Sequence, residues 1–305
     1  MVDFWIILSG CLVAICCSLL GCFLILRKMA MVSDAISHSI LPGIVFAFLL
    51  TGTRETFTML IGAGALGLFT TFLIEFFHQR IKLQTDASIG VTFTTLFALG
   101  VILISAYAGK IDLDQDCVLY GEIAYVPIDV WIVGENTSLG PRVVWIMGIV
   151  LLLVFGFIFF FYKELKITTF DPAFAAACGI NVSLWHYLLM GAVSLTTVAS
   201  FEAVGAILVV GFLIVPPATA YLLTTELRKM LFLAALIGSA TAVIGYYVAV
   251  WLDGSIAGAM ASVAGLLFLL AFIWVQWKKS HIFERFSLDS KQNLLNSASQ
   301  TTCNP

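Results

Sequence analysis

Apolar stretches of about 20 residues recur along this chain, each bounded by polar or charged residues. They fall at 4–26, 31–50, 57–77, 88–107, 142–162, 184–200, 203–223, 231–251 and 257–277. At about 1.5 Å per residue, each is long enough to cross a hydrocarbon core about 30 Å thick as a helix. Lipid leaves backbone amides no partner but the chain itself, so helices are the form such stretches take. The expected fold is an all-α polytopic integral membrane protein with eight to nine transmembrane helices. The uncertainty of one lies at Phe201-Glu202, which alone separates two stretches and leaves a re-entrant hairpin open there. Charged residues make up 11% of the 305, against about 25% in a soluble domain, so little of this surface is made for water. A transmembrane domain is expected over 1–279. The polar tail over 280–305 has no apolar periodicity and is expected to lack regular structure.

Basic residues set the orientation. Arg27-Lys28, Arg80 with Lys82, Lys163 with Lys166, Arg228-Lys229 and Lys278-Lys279 fall at every second boundary between stretches. Nine spans place all five clusters on one side, with the N-terminus outside and the C-terminus cytoplasmic. The start is acidic (Asp3) rather than basic, so the first stretch is expected to be retained rather than cleaved. The net charge of −3 gives no basic face for nucleic acid.

The seven cysteines include no C-x-x-C pair, and four of them (Cys11, Cys16, Cys17, Cys22) share one apolar stretch, where thiols act as small hydrophobes. Small residues at Gly62, Gly64 and Gly67, at Gly238 and Gly245, and at Gly254, Gly258 and Ser262 suit close helix packing in lipid. The outer segment 108–141 carries Tyr125, Val126, Ile128, Trp131 and Ile132, which suggest that part of it lies along the membrane interface.

"SDAISHSI" (33–40) places Asp34 and His38 one helical turn apart within an otherwise apolar run. Residues i and i+4 share a helix face, and Ser33 and Ser37 widen the same polar stripe. An ionisable group in a span costs at least about 2.5 kcal/mol on insertion scales, so it is seldom idle. Carboxylate with imidazole is a ligand set for Mn²⁺, Fe²⁺ or Zn²⁺. Capping of the helix start and a proton relay stay open as alternatives. One Asp and one His leave a divalent ion under-coordinated. Asp86, Glu202 and Asp253 are further candidates, each at a span end, and a second copy related by two-fold symmetry would double the pair.

"FDPAFAAACGI" (170–180) is punctuated as a short helix outside the membrane. Asp171 fits the N-cap, Pro172 the first helical position and Gly179 the C′ stop, with Phe174 between. Such framing suits a docking knob better than a connector. Pro216-Pro217 is expected to kink or end its span. No G-x-x-x-x-G-K-[ST], H-E-x-x-H or G-x-S-x-G occurs, and "DLDQDCVLYGEI" fails as an EF-hand because Cys117 and Ile123 stand at its Gly and Glu positions. Hydrolase chemistry and P-loop ATP binding therefore have no anchor.

Taken in order, "RKMAMVSDAISHSILPGIVFAFLL" (27–50), "TDASIGVTFTTLFALGVILIS" (85–105), "VLYGEI" (118–123), "FDPAFAAACGI", "VGAILVVGFLIVPPATAYLLT" (204–224) and, less closely, "LDGSIAGAMASVAGLL" (252–267) resemble the bacterial manganese/zinc/iron ABC importer permeases. The resemblance covers nearly the whole chain except the tail. It implies a non-enzymatic, multi-pass subunit of the bacterial inner membrane, dimeric with itself or with a related permease. It further implies a cytoplasmic ATP-binding subunit and an extracytoplasmic metal-binding protein as partners. Asp34 and His38 match that family's membrane Asp-x-x-x-His pair, which implies contact with the metal, carried as substrate and not held as a cofactor. The 171–178 helix falls where the family meets its ATPase. A secondary metal–proton transporter and a structural membrane protein without a substrate are the rival readings.

Overall fold

The computed structural model describes the backbone of residues 2–51, 56–107, 123, 126, 130–132 and 138–301. Among these the chain is nearly all helix. Helices α1 (Val2–Leu26), α2 (Met31–Thr51), α3 (Thr56–Arg80) and α4 (Thr85–Tyr107) precede a two-stranded hairpin, β1 (Val130–Ile132) and β2 (Ser138–Pro141). There follow α5 (Arg142–Phe160), α6 (Tyr162–Phe170), α7 (Pro172–Ala177), α8 (Val182–Val204), α9 (Ala206–Leu223), α10 (Leu227–Leu252) and α11 (Ile256–Thr301). Eight helices among the described residues are long and apolar enough to cross a membrane: α1, α3, α4, α5, α8, α9, α10 and the first part of α11. The expected second stretch forms α2, a helix of 21 residues that is not among those eight.

Helix α1 is the axis of the bundle. It packs against α5, α8, α9 and α10, with Val13, Cys16, Cys17, Leu20, Cys22 and Phe23 fully buried. The cysteines thus serve as packing groups. Helices α2, α3 and α4 form a second group, tied to the first mainly through α8. Lipid is as apolar as leucine, so burial alone favours these contacts little and close van der Waals packing carries them. The glycines show how close the approach is. A Cβ on Gly21 would fall 2.0 Å from the Leu213 carbonyl oxygen, and one on Gly245 would fall 2.5 Å from Met260 Cα.

The two ends of the bundle differ. At one end Arg27 meets Thr168, Glu75 meets His186, and Arg228 lies over the Tyr162 ring. At the other, Tyr246 donates to Asp3 Oδ1 at 2.6 Å and Gly140 lies against the Trp5 ring. The basic turns therefore gather at the end opposite the N-terminus.

Two expectations need correction. The fold is not purely α, because 130–141 contains an antiparallel pair, Val130 opposite Pro141 and Ile132 opposite Ser138. The β-branched residues favour strand there, and Gly140 takes φ 90° where a side chain would strike Trp5. Of the expected interfacial residues in this segment, Val126 is buried, Trp131 and Ile132 lie in β1, and Tyr125 and Ile128 lie outside the described residues. Next, the sixth and seventh stretches do not part at Phe201-Glu202. Helix α8 runs through both residues to Val204, and the chain turns at Gly205, whose φ of 76° suits glycine. Pro216-Pro217, expected to kink or end its span, lies inside α9, which continues to Leu223 with both prolines buried. Helix α11 carries its helical backbone on to Thr301. Residues 280–301 hold no Gly or Pro, and Glu, Lys, Gln and Leu among them are good helix formers.

Candidate metal site

Helix α2 starts at Met31, so Asp34 lies inside its first turn rather than at the cap position, Ala30. Its Oδ1 faces His38 Nε2 across 3.5 Å, one turn further on. Two ligands each about 2.1 Å from one ion in tetrahedral array stand about 3.4 Å apart, so a single ion fits between these two atoms. The side chains are open on their outer side, 42% exposed for Asp34 and 33% for His38. Phe93 and Phe97 of α4 flank the imidazole, with ring centroids at 5.8 and 6.2 Å. These rings narrow the space beside His38 and hold its orientation.

The serines of the expected polar stripe take another course. Ser33 and Ser37 are buried, and their hydroxyls donate to the carbonyls of Ala30 (2.8 Å) and Ser33 (2.9 Å). Ser39 likewise donates to Ala35 O. They satisfy their own helix and leave the open face to the carboxylate and imidazole.

The remaining candidate ligands do not gather around the pair. No cluster of three or more His, Cys, Asp or Glu side chains occurs among the described residues. Asp86 is exposed in the first turn of α4. Asp253 closes α10 in the left-handed region (φ 49°), at the far end of the bundle from Asp34. Glu202 belongs to the last turn of α8, also toward that far end, and its side chain lies outside the described residues.

At the basic end, α7 has the punctuation read from the sequence. Asp171 Oδ1 accepts the Phe174 N–H at 2.9 Å, and Pro172 occupies the first turn. Gly179 takes φ 81°, and the Gly179 and Ile180 amides donate to the Ala176 and Ala175 carbonyls, each at 3.0 Å. Only Ala175 of the helix is buried, and Phe174 is 56% exposed. An aromatic side chain is thus presented to the surroundings on a rigid, capped platform.

A second polar cluster, outside the sequence-predicted site residues, lies near α7 and is formed by Arg27, Glu75, Thr168, Thr169 and His186. The signal was available. Glu75 and His186 are ionisable groups inside stretches that read as membrane spans, and such groups are costly enough to need a purpose.

With this geometry in place, likeness to known proteins settles the class. The model of the ABC 3 transport family matches residues 2–275. The chain belongs to the ABC 3 transport family. It is a multi-pass protein of an ABC importer in the bacterial inner membrane. It is 52% identical over 270 residues to the manganese transport system membrane protein MntD of Bacillus subtilis, covering 88% of this chain and 91% of that one. It is 42% identical over 274 residues to the zinc transport system membrane protein TroD of Treponema pallidum, covering 88% and 73%. Among solved structures, PsaBC from Streptococcus pneumoniae in complex with Fab matches with a TM-score of 0.73 at 32% identity, covering 88% of this chain and 90% of that one. The relatives are named as membrane proteins of transport systems.

Proposed function

We propose that this chain is the membrane-spanning permease of an ATP-driven importer of a divalent transition metal, Mn²⁺, Zn²⁺ or Fe²⁺. Two observations support the reading: relatives of this length and likeness are named for manganese and zinc transport, and α2 carries a carboxylate and an imidazole at a separation one ion can bridge. The second carries it. A charged pair on an open face of a helix in lipid needs water or a partner. Two copies, or this chain with a related permease, joined along that face would set two carboxylates and two imidazoles around one ion. Such a set neutralises a divalent charge, and the nitrogen ligands favour transition metals over Mg²⁺ and Ca²⁺.

In this mechanism α2 is the ninth span, the basic end is cytoplasmic and the N-terminus lies outside. An extracytoplasmic protein delivers the ion, Asp34 and neutral His38 hold it in transit, and a cytoplasmic ATP-binding subunit docks on α7. The reading is tested by Mn²⁺ uptake into vesicles holding the permease with and without its ATP-binding subunit. ATP-dependent uptake, competed by Zn²⁺ or Fe²⁺, is the expected result. Uptake driven by a proton gradient without that subunit would overturn it in favour of a secondary transporter.

Two further outcomes follow. Protonation removes His38 as a ligand, so uptake should fall as the medium is acidified from about pH 8 to about pH 5. The same titration on His38→Gln should be flat over that interval, and equal slopes would count against ligation. At α7, Asp171→Ala removes the cap bond, worth about 1 kcal/mol. Phe174→Asp places a charge on the docking surface instead. Both should weaken pull-down of the ATP-binding subunit, Phe174→Asp more strongly, while leaving the amount of folded permease unchanged.

A further inference from the structure

Arg27 stands in the turn between α1 and α2, next to Lys28, which takes a left-handed φ of 59°. Its Nε–H donates to Thr169 Oγ1 at 3.1 Å and its Nη2–H to Thr168 Oγ1 at 3.1 Å. Thr168 in turn donates its hydroxyl to the Glu164 carbonyl at 2.8 Å, which fixes its rotamer. Arg27 Nη1 lies 3.5 Å from His186 Nδ1. A guanidinium only donates, so Nδ1 is the acceptor and the ring proton sits on Nε2. That Nε2 is 3.3 Å from Glu75 Oε2, at ion-pair distance though without hydrogen-bond alignment, and both side chains are only 15% exposed. Burial lowers the Arg27 pKa to about 10, and the group stays charged at cytoplasmic pH.

One side chain thereby joins the α1–α2 turn to α6 directly, and to α8 and α3 through His186 and Glu75. Helix α7 packs on α6 and α8. Its first residue, Pro172, is three positions after Thr169, while Asp34 is seven positions after Arg27. A cavity of about 350 Å³ opens at this junction, lined by Arg27, Glu75, Thr169, Pro172, Ser183 and Tyr187. The Arg27 guanidinium reaches across the edge of this cavity from the α1–α2 turn to α6. A buried charge network is a poor source of stability, and its best-attested use is to fix one arrangement of parts against another.

We propose that Arg27 is the positioning residue that couples α7 to the metal pair: its fork grips Thr168 and Thr169, so movement of the docking helix is passed through the α1–α2 turn to α2. The inference rests on the transport reading above, because it takes α7 as the contact with the ATP-binding subunit.

The test is the coupling ratio, Mn²⁺ transported per ATP hydrolysed, in the intact complex reconstituted in liposomes. Replacing Thr168 and Thr169 together by Val removes both acceptors while keeping shape. The ratio is expected to fall on the order of tenfold, with ATP hydrolysis held within about twofold. The matching Ser pair keeps the hydroxyls and should restore the ratio. Arg27→Lys retains the charge but not the fork, and should also uncouple, giving a second reading if the Val pair fails to assemble. An unchanged ratio in the Val pair or in Arg27→Lys, or a Ser pair as uncoupled as the Val pair, overturns this inference. A wild-type complex without ATP-driven uptake overturns instead the transport reading, and this inference with it.

Discussion

Asp34→Asn is expected to abolish metal uptake, a loss on the order of 100-fold or more, while the complex still assembles and hydrolyses ATP. Asparagine keeps the size of aspartate and one carbonyl oxygen but removes the negative charge. In a two-fold arrangement the change is made twice, so the ion meets two neutral amides in place of two carboxylates. The side chain is open rather than buried, and no backbone group of the helix start depends on it. The fold should therefore tolerate the change. Uptake of radioactive Mn²⁺ by vesicles, normalised to the amount of permease and set beside ATP hydrolysis, checks it. Uptake within about twofold of wild type would remove Asp34 from the pathway.

The second large effect is on the bundle itself. Pro217 has no N–H, so the Leu213 carbonyl lacks its usual partner four residues on. That oxygen points at α1, where Gly21 leaves room for it. A Cβ at Gly21 would stand 2.0 Å from the oxygen and 2.8 Å from the Pro217 ring. Neither obstacle is a flexible side chain, so α1 and α9 must move apart. Overpacking of this kind costs about 1–3 kcal/mol for the first carbon and more for a larger group. Gly21→Ala should lower the thermal unfolding temperature in detergent by about 2–10 °C, and Gly21→Leu should prevent accumulation of the folded protein. Gly64→Ala is the control, since nothing lies within 4 Å of a Cβ placed there. If Gly21→Ala proved as stable as Gly64→Ala, the close approach of α1 and α9 would not be a determinant of this fold.

The helices were legible in the sequence because lipid imposes a length and an apolar composition that few other structures satisfy. Helix α7 was legible for a different reason: Asp171, Pro172 and Gly179 each act on backbone groups within four residues, so no tertiary knowledge was needed. The break between α8 and α9 was misplaced because Phe201 and Glu202 are polar punctuation only in part, whereas the positive φ that turns the chain was available at Gly205 alone. The prolines in α9 lie buried inside their helix. The Leu213 carbonyl that Pro217 leaves without its usual donor faces Gly21 of α1, a contact no local pattern encodes. The Asp34–His38 separation followed from helix spacing, but the inward turn of Ser33 and Ser37 depended on which face of α2 meets its neighbours. The Arg27 network joins residues up to 159 positions apart, so only the cost of Glu75 and His186 in apolar stretches could have announced it.

The central claim is that one transition-metal ion is held by Asp34 and His38 in transit. It is tested most directly by pulsed electron paramagnetic resonance on the purified complex loaded with a limiting amount of Mn²⁺. Modulation from an imidazole nitrogen is expected in the wild type and should vanish in His38→Ala. A bound Mn²⁺ whose spectrum shows no nitrogen ligand, or shows one that survives His38→Ala unchanged, would contradict the account.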